Sequence, residues 1–449
     1  MRSQTAMPSL LAGEIAGAGL LTKSCQGGSF GISSALPVAE STPSAQPVIR
    51  ALLAGLLMTM AQVIVAVGLL APDGSLSFRY STLVEHDSIW FMNIVDRGYG
   101  TTVPPIDHKI MEVSNVGFFP SYPLLAAALR YGLRLETRTA LLLAAQAAAF
   151  GFWCYFFLFC ERWNLAPALR VFGALAIVAH PAAFFLVAGY SESLFLMALL
   201  GFIYWSYADG RNAWIWAGLH GALMSATRIV GVPCAVVPVM RSLLREGWGK
   251  MRQPVAWLRL HAPEMAVMMA TIMGAGLFFL YCQIRWGHWD MYMLTQYAGW
   301  AVDPDYLAVF RPESYHWLWP ALNDPTEASQ MAMTLGGLLL LALGVCEVLP
   351  AIRRRTNWQV RVGFYVCAAF IYFISVSGVA SVEMESMLRY EFCVHVLIVL
   401  AFLHFLRQFR TPPLLVRVFG VAVMALGCAA GLSVQGWYVW NFTRGNWVA

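Results

Sequence analysis

The sequence predicts an all-α, polytopic membrane protein. Of its 449 residues, 59% are hydrophobic and only 12% are charged, whereas soluble domains carry about 25% charged residues. The chain contains about ten apolar runs, and roughly 17 to 25 apolar residues are enough to span a bilayer as a helix. These runs are continuous rather than alternating, which argues against a transmembrane β-barrel. We therefore expect one helical bundle in a lipid bilayer.

Residues 1–47 are rich in Ser, Ala, Gly and Pro and contain no spanning segment. They also lack the basic stretch and long apolar stretch of a cleaved signal peptide. We interpret them as a disordered cytoplasmic tail and place the integral membrane domain at 48–449. The first transmembrane helix is predicted at 51–72, because this run is apolar and follows Arg50.

Loop charge predicts the orientation of the chain. Two long loops, at about 73–117 and 287–327, are acidic. Three other loops are rich in Arg and Lys: 241–262, 353–361 and 407–417. Because loops with excess Arg and Lys lie on the cytoplasmic side, the acidic loops are expected outside. The helices predicted around these loops are about 264–286, 328–350, 362–380, 391–406 and 415–440.

The middle of the chain allows two threadings. In one, 118–133 crosses the membrane and 213–240 is a single helix. In the other, 118–133 is a half-helix at the outer face and 213–240 breaks at 227–231. The second is favoured, because Arg228 near the bilayer centre costs about 2.5–3.5 kcal/mol on insertion scales. Gly and Pro residues in the same stretch also suit a helix break.

In the favoured threading, unusual polar groups collect on the outer face. They comprise Asp87 and four short segments: GFFPSYP (117–123), GYSES (189–193), TRIVG (227–231) and LRY (388–390). Ionisable groups at membrane level are expensive, and they usually mark functional sites. A cluster of them therefore indicates a site on the outer face.

Each charged residue also has a structural interpretation. Asp87 precedes an apolar stripe at helical spacing, which is typical of a helix N-cap. Glu192 is compatible with an ordinary first helical turn. Arg228 and Arg389 are compatible with structural ion pairs, for which the candidate partners are Glu383, Glu385 and Glu391. Spacing alone leaves these alternatives open.

The nine cysteines form no CxxC pair and no Cys/His cluster, so neither a disulfide framework nor a zinc site is predicted. No tight carboxylate cluster is evident, although Asp87 and Glu192 could converge, which leaves a divalent metal open. The net charge of +5 mostly reflects Arg in the inner loops rather than a nucleic-acid surface.

Taken in order, these segments resemble the GPI mannosyltransferase II (PIG-V-like) family of GT-C glycosyltransferases, in its bacterial form. The family pattern runs roughly W-D-x-x-W-Y-x-x-I-A-x-x-G-Y, F-F-P-L-Y-P, Y-T-E-S-L-F, T-R-x-x-G and a late R-Y. The matching segments here are 86–99, 118–123, 190–195, 227–231 and 389–390. The resemblance covers about 85–390. His86, Phe91 and Ser191 depart from it, since the family has Trp, Tyr and Thr there.

The resemblance implies a GT-C-type bundle of about 11 transmembrane helices, with short broken helices and amphipathic helices in the first outer loop. It implies a glycosyltransferase that moves a sugar, typically mannose, from a polyprenyl-phosphate donor by inverting displacement. The acceptor would be a hydroxyl of a glycan, lipid or protein. The active site would face the periplasm or exterior of a bacterial inner membrane. The family's catalytic acid matches Asp87.

The chemistry suggests a role for each residue. A carboxylate within about 2.6–3.2 Å of a hydroxyl can act as its general base, which is the role assigned to Asp87. Arg presents a fixed fork of donors to phosphate oxygens, so Arg228 and Arg389 are the candidates for the donor phosphate. His108 and Lys109 are a second choice. The predicted sugar or acceptor site comprises Glu192, Tyr190, Trp90, Tyr122 and Tyr390.

A transporter or flippase of a lipid-linked or small polar substrate is the main alternative. Transporters commonly contain internal repeats and broken helices at the membrane midplane, and the two halves of this chain show no convincing repeat. Long acidic outer loops and short inner loops favour chemistry on one side. An inactive scaffold is the third alternative.

Overall fold

The computed structural model describes the chain over seven ranges: 45–71, 74–102, 114–246, 254–315, 324–353, 356–408 and 414–448. Within these ranges the regular structure is entirely helical, with no β-strand. The predicted N-terminal tail lies outside the described residues except for 45–47, which belong to the first helix. That helix therefore begins earlier than the predicted residue 51.

The described residues form seventeen α-helices. The first six are α1 (Ala45–Val63, extended by a π-helix at Ile64–Leu70), α2 (Leu76–Ser81), α3 (Asp87–Arg97), α4 (Ser121–Leu133), α5 (Thr137–Arg162) and α6 (Pro167–Val178). The next six are α7 (Glu192–Ser206), α8 (Ala213–Ser225), α9 (Val237–Glu246), α10 (Pro254–Leu260), α11 (Ala262–Trp286) and α12 (Met291–Trp300). The last five are α13 (Pro325–Val348), α14 (Pro350–Arg353), α15 (Val362–Val379), α16 (Met387–Leu406) and α17 (Leu414–Phe442).

Seven helices of the described part are long and apolar enough to cross a membrane: α1 with its π-helical extension, α5, α11, α13, α15, α16 and α17. Helices α6 and α7 are apolar but shorter. Helices α1 and α17 expose large apolar side chains such as Leu57, Leu69 and Leu426, and such surfaces are typical of contact with lipid. The all-α membrane class is confirmed, and the total of about 11 transmembrane helices stays a prediction.

Helix α16 begins earlier than the sequence predicted. The expected start was residue 391, whereas the helix begins at Met387 and includes Arg389 and Glu391. The prediction followed the apolar run, and charged residues near its edge were taken as loop. Both side chains are buried and paired with groups from other parts of the chain, so the helix can carry them inside the protein.

The chain between α8 and α9 is interrupted at the position that the favoured threading predicts. Helix α8 ends at Ser225, Arg228 is extended (φ −152°, ψ 136°), and a 3₁₀ helix follows at Ile229–Val236. This 3₁₀ helix contains Pro233, which lacks the N–H that an α-helix needs. Helix α4 has 13 residues, about 20 Å at 1.5 Å per residue, so it is shorter than the roughly 30 Å hydrocarbon core.

Close packing of α8 on α11 fixes where this interruption begins. A Cβ on Gly274 would lie 2.1 Å from the carbonyl oxygen of Ala222, and one on Gly221 would lie 2.0 Å from Thr271 Oγ1. Small residues allow two helices to approach this closely in a membrane. The hydroxyl of Ser225, the last residue of α8, donates to the Thr271 carbonyl. The segment that carries Arg228 is therefore anchored to α11.

Substituting Gly274 by Ala is expected to destabilise the protein by about 1–3 kcal/mol, because the new methyl group meets backbone that cannot rotate away. Gly276→Ala on the same helix is the matched control, since its nearest neighbour would be Met273 Sδ at 4.0 Å. The measurement is the thermal midpoint of the detergent-solubilised protein. Equal midpoints for the two variants would contradict the packing account.

Candidate active site

Four charged residues from distant parts of the chain form one ion-pair network. Arg389 Nη1 donates to Asp87 Oδ2 at 2.6 Å, across 302 positions of sequence. Arg389 Nε lies 3.6 Å from Glu192 Oε1. Arg228 Nη1 donates to the same Glu192 oxygen at 3.1 Å. Arg389 therefore links the two carboxylates, and Glu192 links the two guanidinium groups.

Asp87 opens α3 without capping it. The N-cap position belongs to His86, whose φ of 53° and ψ of −117° turn the chain sharply, and no side-chain hydrogen bond caps the helix there. The N-cap interpretation of Asp87 is therefore wrong. The turn at His86 places Asp87 one position inside the helix, where its carboxylate pairs with Arg389.

Glu192 is the first residue of α7, and its side chain is fully buried. Burying an isolated carboxylate is strongly unfavourable, and paired opposite charges offset that cost. The two guanidinium groups provide the compensation, so this residue differs from an ordinary first-turn glutamate. Among the described residues, the alternative partners Glu383, Glu385 and Glu391 form no ion pair with either arginine.

Both arginines lie against aromatic rings. The guanidinium carbon of Arg228 is 4.9 Å from the centre of the Tyr390 ring. That of Arg389 is 5.2 Å from the Tyr190 ring and 5.7 Å from the Tyr390 ring. Cation–π contacts of this kind stabilise a cation where water is scarce. Burial alone would lower the pKa of Arg228, but the combined electrostatic contributions of Glu192, Tyr390 and Cys393 exceed the effect of burial and raise the pKa, so Arg228 remains charged.

Tyr190 connects the network to the loop before α3. Its hydroxyl donates to the carbonyl oxygen of Glu85 at 3.3 Å. Burial, with a further contribution from the nearby Asp87 charge, raises the pKa of the Tyr190 hydroxyl well above its usual range. The hydroxyl therefore stays protonated and keeps donating this hydrogen bond at any physiological pH.

The network forms one wall of a cavity of about 550 Å³, within the usual size range of small-molecule sites. The polar wall comprises Asp87, Tyr190, Arg228, Arg389 and Tyr390. The rest of the lining is largely apolar and aromatic, with Phe118, Tyr297, Tyr306, Ile374 and Val379 among its residues. One end of a ligand would thus meet charge, and the rest would meet apolar surface.

Three predicted sugar or acceptor residues are not among those that line the cavity. Glu192 is covered by the two arginines that it binds. Tyr122 is fully buried and donates to the Leu141 carbonyl at 2.9 Å, which braces α4 against α5. Trp90 stacks on Phe118, a cavity residue, at a ring distance of 6.2 Å. The predicted phosphate contacts His108 and Lys109 lie outside the described residues.

Helix α12 supplies cavity residues that the sequence reasoning missed. Tyr292, Gln296 and Tyr297 line the cavity, and Gln296 Nε2 donates to the Gly117 carbonyl at 2.8 Å. This bond ties α12 to the start of the GFFPSYP segment. The available signal was a helical stretch rich in aromatic residues, MYMLTQYAGW, inside the second acidic outer loop.

Asp87 and Glu192 are not arranged as ligands of a shared metal ion, because Arg389 pairs with both. A guanidinium group between two carboxylates occupies the place that a cation would take. The sequence left open a metal site between these two acids. The Arg389 guanidinium group explains why they converge.

A second cluster lies on another side of α16. The ligand atoms of His180, Glu391 and His395 lie within 4.8 Å of one another, and two His with one Glu are typical zinc ligands. His180 does not fit this role. Its Nδ1 accepts the Ala182 N–H at 3.1 Å, so its Nε2 carries the hydrogen and donates to Glu391 Oε2 at 2.8 Å. A ligating nitrogen needs a free lone pair, so we assign the cluster to hydrogen bonding.

Two solved membrane proteins have a similar arrangement of the chain. One is ArnT from Cupriavidus metallidurans bound to undecaprenyl phosphate, with a TM-score of 0.49 and 15% identity over 86% of this chain and 64% of ArnT. Another is the archaeal oligosaccharyltransferase AglB from Archaeoglobus fulgidus, in complex with an inhibitory peptide and a dolichol-phosphate. Its TM-score is 0.45, with 11% identity over 90% of this chain and 56% of AglB.

This chain thus spans less than two thirds of either protein. No family model and no curated protein matches the sequence. Likeness at this level does not assign a function. The fold and the site together define a polytopic, all-α membrane protein with a carboxylate–guanidinium network at the wall of one cavity.

Replacing Glu192 by Leu is expected to destabilise the protein by about 3–5 kcal/mol, because two buried guanidinium groups lose their shared partner. Glu192→Gln keeps an oxygen acceptor, so this variant should lose less stability than Glu192→Leu. Glu385→Leu, at an exposed carboxylate near the network, is the control. Thermal midpoints in detergent measure the effect. A Glu192→Leu protein as stable as the control would show that the pairing is not needed for folding.

Proposed function

We propose that the protein is a glycosyltransferase that moves a sugar from a polyprenyl-phosphate donor to an acceptor hydroxyl. The observation that carries this proposal is that Asp87, Arg228 and Arg389 line one cavity. Such a transfer requires a base for the hydroxyl and positive charge for the departing phosphate, and the cavity wall offers both. The resemblance to the PIG-V-like family supports mannose as the sugar, and the proposed acceptor is a hydroxyl of a glycan, lipid or protein.

The reaction is an inverting displacement at the anomeric carbon. Asp87 takes the proton of the acceptor hydroxyl while the acceptor oxygen bonds to the anomeric carbon from the face opposite the phosphate. The bond between that carbon and the phosphate oxygen breaks, and its electron pair leaves with the polyprenyl phosphate. The proton on Asp87 then passes to water, which restores the carboxylate.

The geometry of Asp87 suits a general base. Arg389 holds Oδ2, while no hydrogen bond from the described residues reaches Oδ1. The side chain lines the cavity and is 18% exposed. One oxygen therefore fixes the orientation of the carboxylate, and the other is available to accept a hydrogen bond from the acceptor hydroxyl.

The two arginines differ in what they can offer a phosphate. The side chain of Arg389 is only 5% exposed and donates to Asp87 Oδ2 and Ser386 Oγ. Arg228 is more exposed and makes a single side-chain hydrogen bond to the described residues, through Nη1 to Glu192. Its remaining N–H groups are available for phosphate oxygens. We therefore assign the direct phosphate contact to Arg228, and to Arg389 a supporting positive charge.

The apolar side of the cavity suits the prenyl chain. Tyr297 and Tyr306 line it and are 64% and 62% exposed, so aromatic surface continues from the cavity to the outside of the protein. We place the site on the periplasmic or outer side of a bacterial inner membrane, since Asp87, Tyr297 and Tyr306 all belong to the two acidic loops. A transporter or flippase would need no release of polyprenyl phosphate, which makes that release the discriminating product.

Asp87→Asn is expected to lower sugar transfer by about 10²–10⁴-fold, because the amide cannot take the acceptor proton. The assay follows transfer from a polyprenyl-phosphate sugar in membranes, together with release of polyprenyl phosphate. Asp303→Asn, at an exposed cavity carboxylate, serves as the control. Near-wild-type transfer by Asp87→Asn would remove the base assignment. If wild-type membranes release no polyprenyl phosphate from any sugar donor, the protein is not the glycosyltransferase proposed here.

Arg228→Ala is expected to raise the donor KM on the order of tenfold or more, since a charge-assisted bond to phosphate contributes about 1.5–3 kcal/mol. The donor KM is measured by titrating the donor at a fixed acceptor concentration. Arg285→Ala, at an exposed arginine of α11, is the control and should leave the donor KM unchanged. If Arg228→Ala lowers only the amount of folded protein, with donor KM unchanged, the arginine is structural.

A further inference from the structure

Residues that follow the last helix pack against His86, the chain neighbour of Asp87, and against Arg389, its ion-pair partner. Helix α17 ends at Phe442, and Gly445, at φ 78°, turns the chain after it. Positive φ is readily adopted by glycine, which is why glycine commonly ends helices. The residues that follow α17, 443–448, are called the C-terminal segment below. Val448, near its end, is almost fully buried, so the segment is part of the packed structure.

His86, the residue before Asp87, is held by this segment. Its Nε2 lies 2.9 Å from the carbonyl oxygen of Asn446. A carbonyl only accepts, so Nε2 carries the hydrogen and donates. The ring also packs on Trp447, at 5.3 Å with perpendicular planes, and on Phe442 at 5.5 Å. The side chain thus has one directional bond and two aromatic contacts.

The backbone of His86 requires such support. Its φ of 53° with ψ of −117° is a conformation that non-glycine residues rarely adopt. Holding it costs on the order of 1–3 kcal/mol, and the surrounding structure must supply that energy. Glycine would adopt the same turn more easily but has no side chain to hold. The presence of His indicates that the contacts of its ring matter at this position.

The same segment also reaches the partner of Asp87. The guanidinium carbon of Arg389 lies 6.0 Å from the centre of the Trp447 ring. Phe442, the last residue of α17, packs on Tyr190 at 5.8 Å, and the guanidinium group of Arg389 lies over that tyrosine ring. Asp87 is therefore supported from two directions: through its chain neighbour His86 and through its ion-pair partner.

We propose that the C-terminal segment positions the Asp87 carboxylate, with His86 and Trp447 as positioning residues of the transfer reaction. Neither side chain lines the cavity. This inference rests on the proposed function and adds a part of the chain that lies outside the motifs of the first outer loop. It predicts that loosening the segment slows the chemical step while donor binding through Arg228 is kept.

The test compares paired variants of the full-length protein. His86→Leu removes the bond to Asn446, whereas His86→Gln keeps an N–H donor of similar reach. Trp447→Leu removes the ring beside Arg389, whereas Trp214→Leu removes an indole of α8 that is 45% exposed and lies outside the C-terminal segment. The measured quantities are kcat and donor KM, and the hydrogen–deuterium exchange of the backbone amides of residues 85–91.

His86→Leu and Trp447→Leu are expected to lower kcat on the order of tenfold to a hundredfold, the effect of misplacing a catalytic group by about 1 Å. Donor KM should change by less than about twofold, because an interaction made only in the transition state affects kcat. Exchange at 85–91 should become faster in both. His86→Gln and Trp214→Leu should remain close to wild type in all three quantities.

Wild-type kcat for both leucine variants would overturn the proposal, as would His86→Gly with full activity, since the turn alone would then suffice. Unchanged exchange at 85–91 would also overturn it. If Trp447→Leu does not fold, the His86 pair decides. If the wild-type protein transfers no sugar, the proposed function fails, and the exchange experiment still shows whether the C-terminal segment holds Asp87.

Discussion

The geometry of the site depends on the ion pairs that the Arg389 guanidinium group makes with Asp87 and Glu192. These pairs join α16 to α3 and α7, and Glu192 extends the network to Arg228. Two carboxylates and two guanidinium groups balance in charge, which allows four ionisable groups where an isolated one would be strongly unfavourable. We infer that the network fixes orientations more than it adds net stability. A carboxylate held by one oxygen presents the other in a defined direction.

All four charged residues lie at helix ends or interruptions. Asp87 and Glu192 open their helices, Arg389 lies in the first turn of α16, and Arg228 occupies the interruption after α8. In a membrane protein, irregular backbone is tolerated only where protein buries it or where it lines a cavity. Here four helix ends or interruptions meet next to one cavity. The irregular backbone that the cavity accommodates is therefore the same backbone that carries the four charged residues.

The sequence predicted what depends on local pattern. Apolar length and loop charge located most long helices, and the cost of a membrane-level Arg228 predicted the interruption after α8. The motifs also named the four charged residues, but not their partners, since Arg389 and Asp87 lie 302 positions apart. Spacing could not decide whether Asp87 caps α3, because the turn at His86 is not visible in the sequence pattern. Tyr122 was placed in the site because an aromatic residue in a motif does not reveal which way its ring points.

The most direct test of the account is an experimental structure of the protein in lipid nanodiscs with a non-transferable polyprenyl-phosphate sugar. Phosphate oxygens are expected within about 3 Å of the Arg228 guanidinium nitrogens. The anomeric carbon is expected to lie between the phosphate and Asp87 Oδ1, with space for an acceptor hydroxyl beside the carboxylate. A phosphate bound elsewhere, with Asp87 and Arg228 facing no part of the donor, would contradict the central claim.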